Sequence, residues 1–113
     1  EKGIDNDFIT SAEEFGKAIA RTVTTSQIRN IFGSVKKMEM EAEMNLSKVL
    51  LLKPRIAYAS ARNRELKELA KQLTDAIDMI DKGKSPAEKN ERFHRFCQGF
   101  EAILAYHRAH GGK

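Results

Sequence analysis

Six cations in this chain have types and spacings that could do chemistry. Lys48, Lys53, Arg55 and Arg62 lie in or beside the run LLLKPRIAYASAR (50–62), and Arg29 and Lys36 lie upstream. The chemistry they offer is phosphate binding. The planar fork of Arg meets phosphate oxygens bidentately, while Lys supplies a compact point charge. Arg55 and Arg62 are seven residues apart, two turns on one helix face and about 10.5 Å along its axis. Arg29 and Lys36 repeat that spacing. If the two helices pack side by side, these groups form one cationic track, joined by Lys53 and Lys48 from the preceding segment. Tyr58 offers a ring that could stack on a base or sugar, although beside Ile56 the plainer expectation is half-buried packing.

Other chemistries find less support. His94 and Cys97, then His107 and His110, make two pairs at ligand-like spacing. All four would sit on one helix, and the ten residues from Cys97 to His107 span about 15 Å, so one metal cannot reach both pairs. No metal or cofactor is expected. Asp75, Asp78 and Asp81 follow a three-residue step best read as a solvated helix face. The chain has no Gly-x-Ser-x-Gly, no glycine-rich phosphate loop and no His-Glu-x-x-His, so it is not expected to be an enzyme. Thr24–Arg29 has the look of a DNA recognition helix, but capping alone explains its Thr and Ser.

Charge is unevenly spread. The formal net charge is +4, yet residues 47–72 carry seven basic and two acidic groups, and residues 92–113 carry four and one. Residues 1–46 and 73–91 are each net −2. A basic block between acidic ones suits a localised polyanion site. Cys97 is the only cysteine, which points to a reducing compartment. The EKGIDND start is acidic and polar, unlike a secretory signal. The longest apolar run, Val49 to Leu52, has four residues, far below the roughly 18 that a membrane span needs.

Helices must position these groups. Thr10 or Ser11, each with Glu three residues on, should cap a short helix carrying Phe15, Ala18 and Ile19 to about Val23. Thr24 and Gln27 form another capping box before Ile28, Ile31, Phe32, Val35 and Met38, with acidic Glu39, Glu41 and Glu43 near the far end. Leu46 to Leu52 should be a short helix that Pro54 ends or kinks. From Pro54 one long helix is expected to about Asp81, with Ile56, Ala59, Asn63, Leu66, Leu69, Leu73, Ile77 and Ile80 as its seam, closed by Gly83. Ser85, Pro86 and Glu88 open a last helix bearing Phe93, Phe96, Phe100, Ile103, Leu104 and His107, ended by Gly111-Gly112. The expected fold is all-α, a compact bundle of four to five helices in a single domain over residues 1–113.

TTSQIRNIF (24–32), LLLKPRIAYASAR (50–62) and FCQGFEAILAYHRAHGG (96–112) together resemble the small subunit of type III-A CRISPR effector complexes, the Csm complex. The resemblance implies a non-catalytic, cytoplasmic prokaryotic protein of antiviral defence. Its copies would stack as a minor filament beside the backbone and large subunits and touch CRISPR RNA and target RNA through their backbones, without sequence specificity. Catalysis would belong to those other subunits. By position, the RNA-facing residues it implies are Lys53, Arg55, Arg62 and Arg29. A homodimer is a further expectation for the isolated chain. The alternative is a helical-bundle assembly protein with no RNA contact of its own.

Overall fold

Pro54 decides where one helix stops and the basic one begins. Its ring lacks an N–H and collides with the carbonyl four residues back, that of Leu50. The computed structural model, which describes residues 6–41 and 43–112, stops a helix at that residue. The elements are α1 (Asn6–Ile19), α2 (Thr25–Glu39), the one-turn α3 (Leu46–Leu50), α4 (Leu52–Arg62), a 3-10 turn (Arg64–Leu66), α5 (Lys67–Asp81) and α6 (Pro86–Ala109). No strand occurs among the described residues. This is the all-α bundle expected, and five of its helices run eleven residues or more. The first five residues of the acidic start lie outside the described residues.

Local chemistry sets most of the ends. Thr24 Oγ1 accepts from the Gln27 N–H at 3.1 Å, and the Thr24 N–H donates to Gln27 Oε1 at 2.9 Å, completing the capping box. Ser85 Oγ accepts from the Glu88 N–H at 3.1 Å, with Pro86 at the first helical position. At the far end of α6, Gly111 takes φ +87°. There the Gly112 and Gly111 amides donate to the carbonyls of His107 and Arg108 at 2.8 and 3.1 Å, closing a Schellman motif.

Two expected boundaries move. α1 begins at Asn6, so Thr10 and Ser11 lie inside it and cap nothing. The cause is tertiary: the Phe8 ring sits against Gly99 of α6, where a Cβ would meet it at 2.9 Å. The long helix expected from Pro54 to Asp81 is two helices. Asn63 is extended (φ −133°, ψ 101°), and both its backbone N–H and its Nδ2 donate to Ala59 O, at 3.0 and 3.4 Å. A short polar side chain that bonds the last turn competes with helix continuation. The chain folds back there. Lys53 and Asp78 would be about 37 Å apart on one helix; their side chains meet at 2.6 Å.

The core gathers on α6, which α1, α2 and α5 all contact. Phe93 and Phe100 are fully buried, and Phe32 of α2 meets Phe100 edge-on at 5.2 Å. α5 supplies Leu69, Leu73, Ile77 and Ile80, while α4 adds Leu52 and Ile56 from the periphery. No described helix is long and apolar enough to cross a membrane.

α1 approaches α6 closely at Gly16, where a Cβ would meet Ile103 O and Tyr106 Cβ at 2.9 Å and His107 N at 3.0 Å. Alanine would gain about 1 kcal/mol of helix propensity. Two of the atoms it strikes are backbone, however, and overpacking costs about 1–3 kcal/mol. Gly16→Ala should therefore lower the urea midpoint, by a net ~1 kcal/mol. An unchanged or raised midpoint would show that α1 can lift from α6 without cost.

Candidate nucleic-acid interface

α4 carries the basic run and sorts it by geometry. At about 100° per residue, Lys53 and Arg55 point about 200° apart, on opposite edges of the helix. Lys53 turns toward α5 and pairs with Asp78, Nζ to Oδ1 at 2.6 Å. Arg55 turns toward α2, its Nη1 donating to Ser34 Oγ at 3.3 Å. Arg62 falls on the same edge as Arg55, and its guanidinium lies over the Tyr58 ring, 5.8 Å from the centroid. Tyr58 is not half-buried as expected but 66% exposed.

A second cross-link sets the register with α2. Gln27 Nε2 donates to Glu65 Oε2 at 2.9 Å, a bond that holds the Glu65 carboxyl below its ordinary pKa. With Arg55 at Ser34 and Gln27 at Glu65, α2 runs antiparallel to α4. Gln27 and Ser34 share one edge of α2, and Arg29 and Lys36 sit about 180–200° round from it. The charge of Glu101 on α6 reaches Lys36, as expected for that far side. The six cations therefore do not form one track. Arg55 and Arg62 share the α4 edge, Arg29 and Lys36 occupy the far side of α2, and Lys53 closes the α4–α5 seam.

The lysines and arginines also differ in company. Lys36 Nζ binds Glu39 at 3.1 Å, and that hydrogen bond raises its pKa. Lys48 binds Glu41 at 2.9 Å. Exposed Arg29, Arg55 and Arg62 have no carboxylate partner among the described residues. Exposed Arg64, just past the Asn63 break, joins them; the long-helix reading left it unremarked. Sequence alone could have flagged it, because no carboxylate occurs between Glu43 and Glu65.

The remaining candidates serve the fold. Asp75, Asp78 and Asp81 each pair with a lysine, Lys71, Lys53 and Lys89. His107 is fully buried, with Nε2 2.6 Å from Val23 O, and His110 reaches Glu13 at 3.3 Å. Among the described residues no group of three or more His, Cys, Asp or Glu is placed to hold a metal ion. An open apolar cleft of about 770 Å³ lies between α1, α5 and α6, lined by Phe8, Phe15, Leu73, Phe96 and Ile103 among others.

The model of the family described as Csm2 Type III-A matches residues 4–113. The chain belongs to that family. No curated protein and no solved structure matches it. Membership makes the chain a small subunit of the type III-A CRISPR effector, the Csm complex, which it shares with other subunits. The three resembling segments now have places: the start of α2, the α3–α4 junction through α4, and the C-terminal half of α6.

Cys97, next to the His94 lead, is buried against the phenylalanine stripe. Burial, with the charge of Glu39 adding to it, pushes its thiol up to about 12. The thiol stays protonated at any pH below that value, and thiolate is the reactive form. Native protein at pH 8 should react with a thiol-specific disulfide reagent on the order of a hundredfold more slowly than protein in urea. Equal rates would show that the stripe opens freely.

Proposed function

We propose that this family member is a non-catalytic subunit that holds the guide–target RNA of its complex by the phosphate backbone, without reading sequence. The observation carrying this reading is the α4 edge, where exposed Arg55 and Arg62 stand two turns apart with no carboxylate partner among the described residues. Guanidinium forks at that spacing, about 10.5 Å, suit phosphates about two nucleotides apart on one strand. Arg29 and Lys36 on the far side of α2 supply a second basic patch, for a different stretch of RNA or a neighbouring subunit. Lys53 keeps a structural role through Asp78, and Lys48 is partly neutralised by Glu41. In this reading copies stack as a minor filament beside the backbone and large subunits of a cytoplasmic prokaryotic complex, and the cutting chemistry lies in those partners. An isolated chain pairs as a homodimer; a light-scattering mass of one chain at high concentration would end that part.

Contacts with phosphate make affinity fall with salt, with a log–log slope of about −0.7 per single-stranded phosphate neutralised. Anisotropy of a labelled RNA of about 30 nucleotides, long enough for several sites, should show that dependence. Arg55→Ala with Arg62→Ala should flatten the slope by about 1.4. Lys53→Ala should leave the slope alone and cost under about 1 kcal/mol of stability, because its pair is substantially exposed. Salt-independent affinity would sink the phosphate reading. If the folded wild type binds no RNA, the alternative of an assembly protein without RNA contact takes its place.

A further inference from the structure

Tyr58 has no packing reason to stand where it does. Its ring is 66% exposed on the outer surface of α4, and Leu51, two turns earlier, is 62% exposed. Within one turn on either side of Tyr58 come Arg55 and Arg62. At about 100° per residue, Leu51, Arg55, Tyr58 and Arg62 fall within about 60° of one another, so they form a single ridge along the helix. Ala57 and Ala61, both exposed, put nothing larger than a methyl group beside the ring. The Arg62 guanidinium, 5.8 Å from the centroid, is close enough for a cation–π attraction that biases both side chains toward one arrangement.

We propose that the Tyr58 ring, steadied by Arg62, is a stacking platform for one unpaired nucleobase of a single-stranded RNA, with Arg55 on the adjoining phosphate. This rests on the RNA reading above and deepens it, because backbone contact alone has no use for a ring. A base has a flat π face that covers the side of the phenol left open by the guanidinium, while its phosphate reaches the neighbouring arginine. An acidic peptide would engage the two cations and leave the ring in water. Stacking accepts any base, so the platform adds affinity without sequence preference.

The test uses the full chain and two labelled probes, an oligouridine of about twelve nucleotides, the scale of a single-strand site, and an abasic oligomer with the same number of phosphates. Wild type should prefer the base-bearing probe on the order of tenfold, as expected for one base stack. Tyr58→Phe should keep that preference. Tyr58→Ala should abolish it while affinity for the abasic probe stays unchanged, and Arg62→Ala should weaken binding of both. Circular dichroism confirms folding, which these exposed side chains should not disturb. Equal wild-type affinity for the two probes overturns the platform and leaves the phosphate reading standing. So does a preference that survives Tyr58→Ala. Wild type that binds neither probe overturns the RNA reading and the platform together. Polyglutamate of matched charge displacing oligouridine as well as unlabelled oligouridine does would overturn the platform in favour of an acidic protein partner.

Discussion

Everything in this bundle depends on α6 being covered on more than one side. Its phenylalanines at 93, 96 and 100 and its buried Cys97 and His107 present more apolar surface than one neighbouring helix can hide. α1, α2 and α5 share the task. Burying each Phe is worth about 1.5–3 kcal/mol against leaving it in water, so the positions of those three helices are strongly constrained. α4 is different. It packs chiefly on α5 and α3, burying only Leu52 and Ile56, and so keeps one broad face in solvent. On that solvent face stand Arg55 and Arg62, without a carboxylate partner among the described residues.

Helical periodicity was easy to read because burial follows it. All eight seam positions from Ile56 to Ile80 are buried or half-buried, as their three- and four-residue steps require. The fold-back between them was not legible. Asn63 keeps the apolar phase unbroken across the turn, and its cost to a helix is modest in isolation. Only the bonds to Ala59 and the closure of Lys53 on Asp78 reveal the reversal, and the second of these joins residues 25 apart. The start of α1 was hidden for a related reason: a capping box at Thr10 or Ser11 is a local signal, and the Phe8 contact with Gly99 that overrides it spans most of the chain. The box at Thr24 held, and Ser85 caps α6 although the Glu88 carboxylate turns to the Lys84 N–H at 2.6 Å and leaves the box there incomplete.

The candidate site was legible in composition and less so in arrangement. The carboxylate-free interval from Glu43 to Glu65 is plain in the sequence, and it places Arg55, Arg62 and Arg64 together. That Lys53 and Arg55 face opposite edges also follows from spacing, since i and i+2 never share a helix face. What spacing cannot supply is which edge meets which neighbour. Had Arg29 and Lys36 been one or two positions along, they would have joined the α4 edge; instead Gln27 and Ser34 hold that edge of α2.

The division between lysine and arginine bears on what kind of surface this is. Lys36, Lys48 and Lys53 each meet a carboxylate, so approaching phosphates feel a screened dipole in place of a free cation. These pairs are exposed and individually weak, each worth about 1 kcal/mol or less, so they contribute little to stability. Among the six candidate cations, their larger effect is to leave Arg29, Arg55 and Arg62 as the ones with no carboxylate partner among the described residues. A guanidinium is weakly hydrated and planar, so it gives up water readily and can stack as well as bond. The α4 edge, where Arg55 and Arg62 are left open while Lys53 on the opposite edge is paired, offers a polyanion defined points of charge. On the proposed RNA reading, defined points serve a sequence-independent contact better than a diffuse positive face, because the spacing along α4 would then set where phosphates rest.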